Sequence, residues 1–250
     1  MESLTRGPLL REGKSKQVFA VLHEDGTVND AQVVLHYKDD ASAFNGVKFD
    51  VVKDKGIVNA AISWNLTGLL EKKGGIKTHL IEKLTDVDHL CHHVEIIPVE
   101  VVIRNIVAGS AAKRFGRDEG EVLAEPMVEY FYKSGELNDP HMGEVHAKAF
   151  GWAELWELEF MKKAALTINA ILKEYWAQWN LDLVDFKVEF GRAATGAILL
   201  ADEISPDGCR LWEKGTRRKF DKDVFRRDLG DLGDTYRELY SRIFGQQVGA

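Results

Sequence analysis

Asp185, Lys187 and Glu189 stand on one side of a strictly alternating stretch, with Val184, Phe186, Val188 and Phe190 on the other. Alternation with period two marks a half-buried strand. Two carboxylates around one ammonium make a poor solvent face, because β-branched residues usually fill such positions. A second apolar run at residues 197–201 ends in Asp202-Glu203. With the turn centred on Thr195-Gly196, hairpin counting sets Glu189 opposite Asp202. Facing carboxylates repel unless a cation sits between them, and an oxygen-only pair suits Mg²⁺ carrying nucleotide phosphates. A solvated charged hairpin is the alternative without chemistry.

Two further segments have the residue types of anion sites. Gly13-Lys14-Ser15-Lys16 precedes an apolar run that begins near Val18. The glycine permits close backbone approach, and two lysines two residues apart can reach one polyphosphate. The spacing is not that of a Walker A loop. A strand-turn-strand with Gly and Lys is another way to cover phosphates, and an exposed basic turn is the plain reading. In residues 101–116, VVIRNIVAGSAAKRFG, a strand ends in Arg104 and a Gly-Ser turn opens a helix. Ser110 is placed as an N-cap that could receive an anion, and Arg104 can add a bidentate contact. Asp139, within Asn138-Asp139-Pro140-His141, could hold hydroxyls or an amine, or close an Asx turn. His89, Cys91, His92 and His93 do not have zinc-ligand spacing.

These groups need a scaffold. The chain has 250 residues, 45% hydrophobic and 29% charged, with a net charge of −7. That acidic balance argues against a nucleic-acid surface. Two cysteines, Cys91 and Cys209, are too few for a disulfide framework and point to a reducing compartment, the cytoplasm. The N-terminal residues contain no apolar signal-peptide core and no run is long enough to span a membrane. Residues 17–22, 31–37 and 94–102 read as strands, 57–72 as a helix ended by Gly74-Gly75, and 108–115 as a short helix. Residues 125–150 read as loop-rich, 153–179 as a long amphipathic helix with Leu155, Leu158, Ala165, Ile168, Leu172 and Trp176 on one face and Trp152, Trp156, Trp176 and Trp179 in core or interface, and 221–229 and 232–244 as closing helices. Strands first, then strands mixed with helices, argue for α+β. A boundary near the Ile97-Pro98 step divides the chain into residues 1–95 and 96–250.

Six pieces in order resemble the SAICAR synthetase family: GKSKQVF at 13–19, KDDASAFNG at 38–46, IPVEVVIRNIVAGSAAKRFG at 97–116, EPMVEYFYKSGELNDPHM at 125–142, LVDFKVEFGR at 183–192 and LADEISPDGCRLWE at 200–213. The resemblance implies an N-terminal antiparallel β-rich lobe that covers a nucleotide, packed on a larger α+β lobe, with the active site in the cleft. It implies an ATP-dependent ligase of purine biosynthesis that joins carboxyaminoimidazole ribotide (CAIR) to L-aspartate and releases ADP and phosphate. Lys14 and Lys16, with Ser15 and Val18 in the same segment, would bind ATP, and Glu189 and Asp202 would hold Mg²⁺. Arg104, Ser110 and Arg210 would take the ribotide, with Asp139, Asp185 and Lys187 at the reaction centre and Lys133 beside them. A homodimer is expected. Asp185, on the strand face of Lys187 and Glu189, is the candidate to accept the amine's proton. A small-molecule kinase and a non-catalytic nucleotide-binding module are the rival readings.

Overall fold

The computed structural model describes residues 5–44 and 46–249. β1 (Thr5–Glu12), β2 (Lys16–Leu22) and β3 (Val28–Tyr37) form a meander, β4 (Asp40–Ala43) and β5 (Lys48–Val51) a separate hairpin, and α1 (Lys55–Gly74) follows. Gly75, at φ 62°, ends α1 by donating its N–H to the carbonyls of Glu71 and Leu70, the usual glycine C-cap. β6 (Leu80–Lys83) and β7 (Asp88–His92) complete a first sheet of order β1-β2-β3-β7-β6.

The second half supplies β8 (Val94–Ile106), α2 (Gly109–Phe115), β9 (Val122–Tyr132), β10 (His141–Met142), α3 (Glu144–Ala149) and α4 (Leu155–Gln178). β11 (Leu181–Ala193), β12 (Ile198–Ala201), β13 (Cys209–Glu213), α5 (Asp223–Arg226) and α6 (Leu232–Phe244) complete it. The second sheet runs β10-β9-β8-β11-β12, with β13 also paired to β11. The architecture is α+β with antiparallel sheets, as the order of elements suggested. β9 runs through the stretch expected to be loop-rich. β10 pairs only with Tyr130 and Phe131, so the edge beside Pro126 is unpaired, where a strand tolerates proline.

One apolar core explains the placement of the long elements. α4 lays Leu158, Met161, Ala165, Ile168, Leu172 and Trp176 along one stripe, packed with Ile97, Val99, Val101 and Ile103 of β8 and Phe186, Val188 and Phe190 of β11. Trp156, by contrast, is exposed. α1 joins the two sheets. Val58, Ile62, Leu66 and Leu70 enter the same core, while Ala60 packs against Val33, Leu35 and Tyr37 of the first sheet. With one face of the second sheet committed to α4, alternation turns the intervening residues of β8 and β11 to the other face.

Irregularities on β11 set where its side chains point. Its first half pairs with β13 and its second with β12. A shift between Leu183 and Asp185 sends Val184 to a small cluster with Ala108 and Trp212. Val184 therefore does not share the core of Phe186, as simple alternation had placed it. The hairpin register is also one residue from the counted one. Ala193 N donates to Ala197 O around a turn that holds Gly196 at φ 82°. Glu189 consequently pairs with Ala201, and Asp202 is the next residue, beyond the strand. Glycine in the left-handed region is what a three-residue hairpin loop requires.

A buried polar pair pins β8 to α4. Asn105 Nδ2 donates to Asn169 Oδ1 at 2.8 Å, and Asn169 Nδ2 donates to Asn105 Oδ1 at 3.0 Å. Asn169→Ala should leave a buried amide short of partners and cost about 1–3 kcal/mol, read as a fall in the urea midpoint. An unchanged midpoint would show that the pair adds nothing to stability.

Candidate active site

The polar face of the second sheet carries two groups of charges. At the first, register places Asp185 between Arg104 on β8 and Arg210 on β13. Arg104 Nη1 donates to Asp185 Oδ2 at 2.7 Å, its Nε to Glu129 Oε2 at 2.6 Å, and its Nη2 to Ser110 Oγ at 3.1 Å. Arg210 Nη1 donates to both oxygens of Asp185 at 2.8 and 3.0 Å, and its Nε to Asp223 Oδ2 at 3.0 Å. Arg114 reaches Glu129, and Arg226 Nη1 donates to Asp223 at 2.7 Å. The outcome is an alternating row of four guanidinium groups and three carboxylates: Arg114, Glu129, Arg104, Asp185, Arg210, Asp223, Arg226. Gly109, at φ 55°, lets Arg210 lie against the start of α2, since a Cβ there would stand 2.6 Å from Nη2.

These contacts bring together Arg104, Ser110 and Arg210, which are far apart in sequence. They also revise local details. β8 continues past Arg104 to Ile106, and the N-cap of α2 is Ala108. Ser110 lies inside the first turn, and its hydroxyl serves Arg104 instead of capping. Both oxygens of Asp185 are taken by guanidinium groups, so the residue acts as a counter-charge in this state and not as an open base.

The second group lies one strand-step further. Lys187 Nζ donates to Glu100 Oε1 at 2.6 Å and to Glu189 Oε1 at 3.0 Å, and Lys133 holds the other oxygen of Glu189. Asp202, in the left-handed region at φ 62°, accepts from Lys16 Nζ at 2.7 Å. Its carbonyl oxygen lies 3.0 Å from His79 Nε2. Lys16 also contacts Glu203, which Ser15 Oγ approaches at 3.4 Å. Burial alone would raise the Asp202 carboxyl, but Lys16, Lys133 and Lys187 outweigh it and hold it below the usual carboxylate range. Burial and the charge of Asp202 push Glu189 up, and Lys187 and Lys133 bring it below its ordinary value. Both carboxylates are thus ionised, and Glu189 feels the charge of Asp202.

That donor set suits a hard divalent cation: two ionised oxygens, currently satisfied by ammonium groups. Among the described residues there is no cluster of three or more His, Cys, Asp or Glu poised for a metal. Substrate oxygens and water would have to complete the shell, which is how Mg²⁺ is commonly held.

The remaining candidates scatter around this centre. Lys14 is exposed in a tight turn closed by Gly13 N donating to Lys16 O at 2.8 Å. It is not part of β2, so Lys14 and Lys16 do not share one extended strand face. Val18 is half-buried and packs near Val33, Leu35 and Tyr37. Asp139 Oδ1 accepts from Ser134 N at 2.9 Å, closing a turn, and its charge reaches Glu100. His89 is wedged beside the Tyr37 and Trp64 rings, and Cys91 is in the core of the first sheet.

Sequence reasoning missed Glu100, Glu129, Glu203 and Asp223. The first two were accessible, because a glutamate interrupts the apolar runs PVEVVI and MVEYFY just as Asp185 and Glu189 do theirs. Asp223 follows from no local pattern.

A sequence model of SAICAR synthetase matches residues 9–243. A phosphoribosylaminoimidazole-succinocarboxamide synthase of Chlorobium luteolum is 51% identical over 237 residues, covering 95% of this chain and 96% of that protein. One from Clostridium botulinum is 49% identical over 235 residues, covering 94% and 97%. Among solved structures, a SAICAR synthetase in complex with ADP superposes with a TM-score of 0.89 at 44% identity, over 96% of this chain and 99% of that one. The Pyrococcus horikoshii SAICAR synthetase gives 0.85 at 42% identity, over 98% and 99%.

Asp185→Ala should leave Arg104 and Arg210 facing each other without their shared counter-charge. A broken buried pair of this kind costs about 3–5 kcal/mol, measurable by urea unfolding. A midpoint equal to that of the unaltered protein would mean that the row is held by something else.

Proposed function

The chain belongs to the SAICAR synthetase family, and on that premise we propose that it joins the carboxylate of CAIR to the amine of L-aspartate, with ATP cleaved to ADP and phosphate. As a member of that family it is an ATP-dependent ligase of purine biosynthesis. The observation that carries the finer reading is the presence of two different sites on one strand. Asp185, with the Arg104–Ser110–Arg210 group, and Glu189, with the Lys16–Asp202 group, are four residues apart on β11, roughly 13 Å. A plain ATPase would need only the second.

A carboxylate does not react with amines near neutral pH because its oxygen is a poor leaving group. In the proposed route a CAIR carboxylate oxygen attacks the γ-phosphorus, the bond to the β-phosphate oxygen breaks, and ADP leaves. The aspartate amine then attacks the acyl carbon of the mixed anhydride, the carbon–oxygen bond to phosphate breaks, and an amide remains. Lys16 and Lys14, with Ser15 and Val18 in the same segment, line the nucleotide between the lobes formed by residues 1–95 and 96–250. Glu189 and Asp202 would hold Mg²⁺, which when bound supplies charge neutralisation to the phosphates. Arg104, Ser110 and Arg210 bind the ribotide, since charge-assisted and bidentate contacts favour phosphate and carboxylate. Lys187, Lys133 and Asp139 orient the reacting groups. The amine must lose a proton, and with Asp185 committed to two arginines, its transfer to that carboxylate requires an arginine to move to substrate first.

We infer a cytoplasmic homodimer. No helix among the described residues is long and apolar enough to cross a membrane.

ADP release should require both CAIR and L-aspartate, measured by omitting each in turn. Release without aspartate would favour a kinase, and no release with every substrate present a binding module. Arg210→Ala should raise the CAIR requirement about ten- to a hundredfold, because a charge-assisted phosphate contact is worth about 1.5–3 kcal/mol, while ATP affinity barely moves. Asp202→Asn should reduce turnover by orders of magnitude with an unchanged circular dichroism spectrum, since an amide oxygen is the weaker ligand to a hard cation. Normal turnover would remove Asp202 from the metal site.

A further inference from the structure

We propose that Glu100 is a positioning residue that keeps Lys187 off Glu189 when a divalent cation binds there. The inference rests on the reading of Glu189 as a metal ligand. β8 and β11 pair Glu100 directly opposite Glu189, and both carboxylates are buried. Two facing carboxylates repel, and one ammonium relieves both. Lys187 Nζ is 2.6 Å from Glu100 Oε1 and 3.0 Å from Glu189 Oε1. The two carboxylates are not equivalent. Glu189 has a second cation, Lys133, on its other oxygen. Among the described residues the ion pair of Glu100 is with Lys187 alone.

A cation on Glu189 must displace the ammonium groups that now satisfy it. Lys187 then has one place to go without leaving the face, which is Glu100, already the nearer of its two partners. With Glu100 neutral, Glu189 would be the ion-pair partner left to Lys187 among the described residues, and Lys187 would compete with the metal for it. Burial, together with the charges of Glu189 and Asp139, pushes the Glu100 carboxyl above its ordinary value despite Lys187.

The test is the coupling between Mg²⁺ and ADP, taken as the ratio of ADP dissociation constants measured calorimetrically in EDTA and in saturating Mg²⁺. That ratio reports metal binding to the nucleotide complex without turnover. Glu100→Gln should reduce the coupling about tenfold, as expected for loss of one charge at close range in a buried site. Adding Lys187→Met to Glu100→Gln should restore it to within about twofold, because the competitor is gone. A coupling unchanged in Glu100→Gln but lost in Glu189→Gln would overturn the role of Glu100 while leaving Glu189 a ligand. A double variant as weak as Glu100→Gln would also overturn it, since Glu100 would then act without Lys187. If Glu189→Gln keeps full coupling, the metal reading itself is wrong and the role proposed for Glu100 falls with it.

Discussion

Charge cancellation on one face of one sheet is the constraint on which the rest of this structure depends. Glu100, Glu129, Asp185, Glu189 and Asp223 are buried and would be costly to bury alone, and each of them, like the half-buried Asp202, is held by lysine or arginine from another element. Lys16 comes from the first sheet, Lys133 from just beyond β9, Arg114 from α2 and Arg210 from β13. The elements around the polar face are thus tied together through its charges as well as through the core. Because the cations are shared between carboxylates, the proposed substrate anions or metal would exchange partners with them instead of entering an empty charged pocket.

The apolar side makes that exchange possible. α4 and α1 bury the other faces of β8 and β11 in one continuous core, so the strands that carry the charges are held independently of them. Dense packing resists small displacements, and the side chains can change partners over a fixed backbone. Two left-handed residues mark where the backbone has been bent for the site. Gly109 permits Arg210 to approach α2, and Asp202 leaves β12 at a φ that aspartate adopts more readily than most residues.

Much of this was legible in the sequence because alternation is a local property. Asp185, Lys187 and Glu189 were on one face from their spacing alone, and the period of α4 gave its stripe from Leu158 to Trp176, although Leu155, read onto the same face, is exposed. The errors came where a strand departs from strict alternation. The turn at residues 194–196 moved the partner of Glu189 from Asp202 to Ala201, and the shift before Asp185 moved Val184 out of the main core. Ser110 was assigned a capping role because its type fits one, but Arg104, six residues earlier, takes its hydroxyl. The partners of Arg210 were beyond reach for a different reason. Asp185 is 25 residues away and Asp223 lies on another element, so only the tertiary fold brings them together.

In the proposed reaction, the lysines now on Asp202 and Glu189 stand where a metal and its phosphates would bind. Solving the structure of this protein with Mg²⁺ and ADP tests it most directly. The expected result is a cation about 2.1 Å from carboxylate oxygens of Glu189 and Asp202, with Lys16 moved from Asp202 onto a phosphate oxygen. A bound nucleotide with Lys16 still paired to Asp202, and the cation held away from both carboxylates, would contradict it.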